Sequence, residues 1–408
     1  LYENKEKINL REKFGINKKT LPYRRHLRMQ TFCRFMAYSM TLTAIGCRSW
    51  WGFPPPNKIS RYIFNLVKWS LMPIPLSAIV YFYLHFNDIN FDIMCNIISI
   101  TTMQLSINIK IFITCFPSFK QVMKNFIERY HLYNIQSQSE YNKMILKKVE
   151  KISRFTAIAA FSGYYMTGIF WLIYTLTYNV LNREMITQNK TAQFQSILYL
   201  ELPFDYLYDI NWMIVYYCFN VVYISICIYF LSTFDIITYI PIYHLIGHIV
   251  ILKHEIKTKF SDNLSQNVKE RIIEIIEHHN FIIKAFKDVQ STFGLSVSGN
   301  YLCNLITNTF LMYMMLLVRF FFYVRFIYSN GIRLPSVKLS CYDLSEILYD
   351  VPWENMSISN QKSILIMLAQ MQPPLIFVAA GGLVAGLQPL IFIIKTTFSY
   401  YVMLKSLA

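Results

Sequence analysis

Residues 212–231 read WMIVYYCFNVVYISICIYFL, twenty positions without one charged side chain. A helix needs about 20 predominantly apolar residues to cross the hydrocarbon core of a bilayer, and this run supplies them before continuing, still apolar, toward Leu252. Working outward, comparable runs lie at 69–86, 93–116, 155–181 and 375–394. Between the last two, 293–328 is apolar over 36 residues and broken only by Arg319 and Arg325. That stretch is long for one span and short for two. The chain is 54% hydrophobic and 15% charged, against about 25% charged for a soluble domain. The expectation is therefore an all-α membrane protein rather than two or three soluble domains.

Orientation follows from the lysine and arginine content of the connecting segments. Up to Lys68 there are 14 such residues, in 85–92 none, in 117–154 eight, in 182–211 two and in 253–290 seven. This alternation places the N-terminus and the segments 117–154 and 253–290 in the cytosol. Residues 1–58 read as a cytosolic segment in which 30–53 form an amphipathic interfacial helix; 59–408 read as the membrane domain. Asn189, in the sequon Asn189-Lys190-Thr191, falls in a link placed outside and is a glycosylation candidate. Leu1 is not an initiator methionine, which fits a trimmed or partial chain. Residues 1–28 hold nine Lys and Arg and no apolar core of the length a secretory signal needs, so none is expected there, and the net charge of +16 is parcelled between hydrophobic runs rather than gathered into a nucleic-acid-binding patch.

No catalytic motif is present: GxSxG, the P-loop, GxGxxG and the kinase set are all missing. No cofactor or metal is expected. His244 and His248 have metal-like spacing but lack the HExxH pattern, and with His278 and His279 they read as helix-surface histidines. The eight cysteines form no CxxC pair; Cys95 and Cys218 both approach the outer face, where two packed thiols are the simpler expectation than one bridge. Lys110 is expected to snorkel to the cytosolic surface and Asp235 to be wet. On that reading the spans hold no buried acid, base or histidine chain of the kind that serves a pump. They offer instead aromatic, methionine, Thr and Asn side chains, a lining suited to a small, mostly apolar ligand.

The C-terminal part begins with an amphipathic stretch carrying Ile364, Leu365, Leu368 and Met371, then Pro373-Pro374, then the small residues Ala379 to Gly386. The proline pair must break the first helix, and small residues allow close helix approach in a bilayer. Tyr349-x3-Trp353, Lys362, Gln372-Pro373 and the closing TTFSYYVMLKSL with Ser399 and Tyr400 occur in that order. Trp51-Gly52-Phe53-Pro54, Leu202-Pro203-Phe204 and the histidine pair near 278 precede them. In these marks and their spacing the chain resembles the insect odorant receptor family along most of its length.

The resemblance implies seven transmembrane helices with a cytosolic N-terminus, inverted relative to G-protein-coupled receptors, in a tetrameric cation channel. It implies a heterotetramer with the odorant co-receptor in the plasma membrane of olfactory sensory neurons, gated by a small volatile or apolar ligand and requiring no G protein. The link 253–290 lacks the long insertion of the co-receptor, so a ligand-specific subunit is expected. Segments 253–290 and about 331–372 would be cytosolic anchors, and 375–408 the pore-lining last span. Matching the family ending puts the constriction at Met403 and Leu407, one helical turn apart. Ligand contacts are expected in the outer bundle among Ile98, Thr101, Thr102, Thr167, Trp171, Met213, Tyr217 and Asn220. The fifth and sixth spans are compressed into about 286–309 and 310–328, nearly without a loop.

Four alternatives stand beside this reading. A gustatory-type channel would differ in ligand and partner. A family member that does not assemble would follow from the shortened fifth and sixth spans. A G-protein-coupled receptor would need the opposite orientation and DRY or NPxxY motifs, and a secondary transporter would need paired broken helices.

Overall fold

The computed structural model describes residues 31–188, 192–261, 267–314 and 343–372, with parts of 375–403. Among the described residues the chain is helical apart from links, turns and one isolated bridge. Helix α1 spans Thr31–Leu42 and is followed by a 3-10 turn, Arg48–Trp51, closed by Gly52 in the left-handed region at φ 84°. Met36, Ala37 and Met40 of α1 are buried in the main core, and Ser39 shares a 2.9 Å hydrogen bond with Tyr229.

The first apolar run divides into α2 (Lys58–Ser70) and α3 (Ile74–Leu84). Pro73 and Pro75 have no N–H to continue the ladder; at this break the Met72 carbonyl accepts from Asn108 Nδ2 at 3.0 Å. Helix α4 covers Phe91–Cys115, and Pro117 opens α5 (Pro117–Asn125). A π turn (Phe126–Tyr130) and a 3-10 turn (Leu132–Gln138) lead into α6, Glu140–Leu181. The short α7 (Arg183–Thr187) starts the link to α8, Ile210–Ser261, and α9 covers Val268–Met314. Beyond a helical stretch at 343–349, α10 spans Ile358–Met371, burying Ile364 and Met371 while Leu365 is exposed.

Helices α6, α8 and α9 contain 42, 52 and 47 residues. At about 1.5 Å per residue each is roughly 60–80 Å long, about twice the ~30 Å of bilayer hydrocarbon. Their excess lies at one end, where α6 and α8 pack on the Leu132–Gln138 turn and α9 packs on α5. The link 194–207 marks the opposite end. Within the bundle α4 lies along α9, α6 along α8, and α8 against α9. Phe119, Phe234 and Phe293, all fully buried, bring α5, α8 and α9 together at ring-centroid distances of 5.9–6.2 Å. The outward face of α6 carries Phe155, Ile158, Ile169, Ile173 and Val180 exposed, a surface suited to lipid rather than water.

Four helical segments of the described residues are long and apolar enough to cross a membrane: Lys58–Leu84, Ile93–Cys115, Glu140–Leu181 and Ile210–Phe260. Two sequence expectations change. The fifth helix does not end near Thr309; α9 runs on to Met314, because no turn-forming residue interrupts it. The expected sixth span, about 310–328, falls outside the described residues except for 310–314, which continue α9. The expected helix over 375–394 does not begin at Leu375. Residues 375–377 are non-helical, and Val378 bridges antiparallel to Val384 across Gly381 and Gly382. These glycines take φ 79° and 77°, a conformation open to glycine without strain. Helical backbone appears at 391–392, 395–396, 398–399 and 402–403.

Candidate functional site

An apolar cavity of about 70 Å³ lies between α4, α6 and α8. Met103 and Ile107 of α4, Thr167 and Trp171 of α6, and Tyr223 and Ile228 of α8 line it. Gly168 is part of the wall because a Cβ there would come within 2.3 Å of Ile228 Cδ1. The polar groups are few. Gln104 Nε2 lies 3.5 Å from Cys227 Sγ, Thr167 donates to the Gly163 carbonyl within its own helix, and the buried Tyr223 hydroxyl makes no hydrogen bond of good geometry.

The cavity is covered by 194–200, held by one asparagine from each of the three helices. Asn96 of α4 donates to the Ser196 carbonyl at 3.1 Å. Asn179 of α6 donates to the Gln195 carbonyl and accepts from the Gln195 amide, both at 2.8 Å. Asn220 of α8 accepts from the Leu198 amide at 3.2 Å, while the Tyr216 hydroxyl donates to the Leu198 carbonyl at 3.1 Å. Ile197 and Leu198 thereby point into the cavity roof. The Tyr199 phenol is buried beside them and accepts from the Ser196 amide.

Of the expected ligand contacts, Thr167 and Trp171 line this cavity. Asn220 is buried one layer above it as a clamp. Thr101 and Thr102 are buried on α4 beside it; Thr102 donates to the Ile98 carbonyl and the Thr101 hydroxyl has no partner. Ile98 and Met213 are half-buried outside the lining. Tyr217 ties α8 to α6 by donating to the Leu172 carbonyl at 2.9 Å. Asn96 and Asn179 were not among the sequence candidates, although an asparagine at the outer end of an apolar run was the signal available.

Two charged residues correct the sequence reading. Lys110 neither snorkels nor is Asp235 wet: they are 1% and 3% exposed and form an ion pair at 2.7 Å between α4 and α8. The Tyr164 hydroxyl of α6 donates to the other Asp235 oxygen, and Lys110 Nζ stands 5.7 Å from the Phe234 ring centroid. Isolated charges at this depth would be strongly disfavoured, and pairing with hydrogen bonding is what makes burial tolerable. Tyr164 also borders the cavity, so the three-helix clasp forms its floor.

The histidines are also buried rather than on helix surfaces. His244 accepts the Leu132 amide at Nδ1, and its ring lies against that of His131, tilted by 38° with centroids 4.1 Å apart. His248 meets the Tyr130 carbonyl and His278, and His278 meets Glu255. Burial pushes His131 down to about 3 and His279 to about 4. Among the described residues no cluster of three or more His, Cys, Asp or Glu is arranged to hold a metal ion. Neither Cys95 nor Cys218 forms a disulfide; the first is buried and the second exposed.

Of the C-terminal candidates, Tyr349 is exposed with its ring 6.4 Å from Trp353. Ser399 is helical and donates to the Lys395 carbonyl, and Met403 is helical and half exposed. Asn189, Pro373, Tyr400 and Leu407 lie outside the described residues.

The architecture has solved counterparts. The insect olfactory receptor OR5 from Machilis hrabei in complex with eugenol superposes with a TM-score of 0.70 at 15% identity, over 94% of this chain and all of that one. The structure of the same receptor described without eugenol gives 0.68 at 15% identity, with the same coverage. At that identity the likeness speaks for the fold. No curated protein sequence matches. A model of the family described as 7tm Odorant receptor matches residues 90–398, which takes in α4 to α10 and the described residues after them up to Phe398. The chain therefore belongs to the 7tm odorant receptor family, a family of receptors and not of enzymes.

Proposed function

We propose that this chain is the ligand-binding subunit of a heteromeric odorant-gated cation channel, with the cavity between α4, α6 and α8 as its odorant site. The observation that carries the proposal is the apolar cavity with one three-helix clasp above it and another below. A ligand that enters must act on three helices at once. At about 70 Å³ it is smaller than the roughly 300–1,000 Å³ of typical ligand pockets. Binding therefore selects a conformation in which the helices stand further apart, a population shift that can be passed to the last helix. The similar receptor solved with eugenol supports a small, mostly apolar ligand, whose polar groups the Tyr223 hydroxyl and Gln104 can meet.

In the proposed arrangement seven helices cross the plasma membrane of an olfactory neuron. The N-terminus and the projecting ends of α6, α8 and α9 lie in the cytosol, and link 194–207 faces outward. The lysine and arginine alternation supports this orientation. Met403 and Leu407 line the pore of a tetramer shared with the co-receptor; the exposure of Met403 on its helix supports a contact with neighbouring subunits. The experiment is expression with and without an odorant co-receptor, recording membrane current during an odorant panel. Current that needs both chains and survives G-protein blockade is expected. Current from this chain alone, or current abolished by the blockade, would overturn the proposal.

A further inference from the structure

We propose that Glu255, His278 and His248 form a proton site, a chain that holds one proton more than two neutral imidazoles carry and uses it to tie α8 to α9. Three contacts define it. His248 Nε2 is 3.0 Å from the Tyr130 carbonyl, His248 Nδ1 is 3.2 Å from His278 Nε2, and His278 Nδ1 is 2.9 Å from Glu255 Oε2. A carbonyl oxygen only accepts, so His248 must carry its hydrogen on Nε2. Its Nδ1 is then bare and accepts from His278 Nε2. The hydrogen of a neutral His278 is thereby used, yet its Nδ1 still faces a carboxylate, which also only accepts. Both ends of the chain are acceptors, and the three bonds need one proton beyond the two that neutral rings supply. Because a carboxyl is the stronger acid, that proton rests on His278, making an imidazolium–carboxylate pair.

The setting favours it. Glu255 lies seven residues after His248 on one face of α8, and His278 comes from α9. Both rings are buried, at 1% and 7% exposure. A cavity of about 220 Å³ borders the chain and gives the proton a route. Facing it are Lys259 of α8, paired at 2.8 Å with Glu274 of α9, Glu277 of α9, and Arg129 of the π turn. With Glu255, the acids there outnumber the lysine and arginine. His244 lies one turn before His248, and His279 follows His278 on α9. His131 and His244 accept backbone N–H groups from Tyr133 and Leu132 at their Nδ1 atoms, which suits neutral rings and sets them apart from His278.

Loss of the proton leaves two acceptors facing each other with no hydrogen between them, and α8 separates more readily from α9. The folded arrangement is thus favoured as pH falls and weakened as pH rises past the release of this proton. Location on the cytosolic side rests on the proposed orientation; the proton count does not.

The test is thermal unfolding of the purified full chain in detergent from about pH 6 to about pH 9, where an imidazole can change charge. Glu255→Gln is the informative variant, because its amide donates to the bare Nδ1 of a neutral His278 and completes the chain without the proton. For wild type the folding equilibrium is expected to weaken with rising pH, by up to about tenfold per pH unit for one proton. Glu255→Gln is expected to lose that dependence. An equal slope in both proteins, or no slope in wild type, would overturn the proposal. Should the variant not fold, 15N spectra of the wild-type histidines decide. A buried ring protonated at both nitrogens at about pH 8 supports the site, and only neutral buried rings refute it.

Discussion

Lys110 and Asp235, separated by 125 positions in the chain, meet at 2.7 Å inside the bundle, with Tyr164 closing the pair from a third helix. Neither charge has water to turn to, so each depends on the other. Removing one partner of such a pair typically costs about 3–5 kcal/mol, whereas replacing both by apolar groups is often neutral. Lys110→Met should therefore abolish most folded protein at the cell surface. Lys110→Met with Asp235→Leu should restore much of it. Thermal unfolding in detergent reads both, and a Lys110→Met protein as stable as wild type would refute the clasp.

The asparagines above the cavity give a second, milder expectation. Asn220→Leu leaves the buried Leu198 amide without its acceptor, a loss of about 1–3 kcal/mol. The effect should centre on 194–200. Hydrogen exchange should accelerate there and leave the Phe119–Phe234–Phe293 core protected. Uniform acceleration across the bundle would contradict a local clamp.

How far the sequence reached depends on which interactions are local. The run 93–116 matches α4 within two residues, because Asp88 and Asp92 bound it on one side and Pro117 on the other. Hydropathy and proline chemistry act over one helix length, and a sequence shows them directly. The Lys110–Asp235 pair was not legible as a contact: each residue alone fits a bland account, and only packing of α4 on α8 joins them. The same holds for His248 and His278, which lie on different helices. At 379–386 the small residues suggested close helix approach, but a Cβ on Gly381 or Gly382 would meet nothing within 4 Å, and their left-handed backbone serves a turn that composition does not announce. Thr167 and Trp171, chosen by depth along the helix, do line the cavity, but depth alone cannot say which face a residue presents.

Cavity size offers a third prediction. Gly168→Val adds side-chain atoms where even a Cβ would come within 2.3 Å of Ile228 Cδ1, so odorant-evoked current should fall most for the bulkiest ligands. Ile228→Val removes a methylene from the opposite wall at a stability cost of about 0.5–1.5 kcal/mol and should shift preference toward larger ones. The two should move sensitivity in opposite directions at equal surface expression. Parallel changes across all ligand sizes would place the odorant elsewhere.

The last prediction concerns acid. His131 sits in the turn after Tyr130, with its Nδ1 accepting the Tyr133 amide at 3.2 Å and burial pushing it down to about 3. The unfolded chain takes up a proton here near pH 6.5, well before the folded protein does. Stability is therefore full above about pH 6.5 and is lost progressively as pH falls toward 3, at up to about tenfold per pH unit. His131→Asn can accept the same amide without titrating, so its unfolding midpoint should fall less steeply between about pH 6 and about pH 4. Identical acid slopes in the two proteins would show that His131 takes up its proton without leaving its packing against His244.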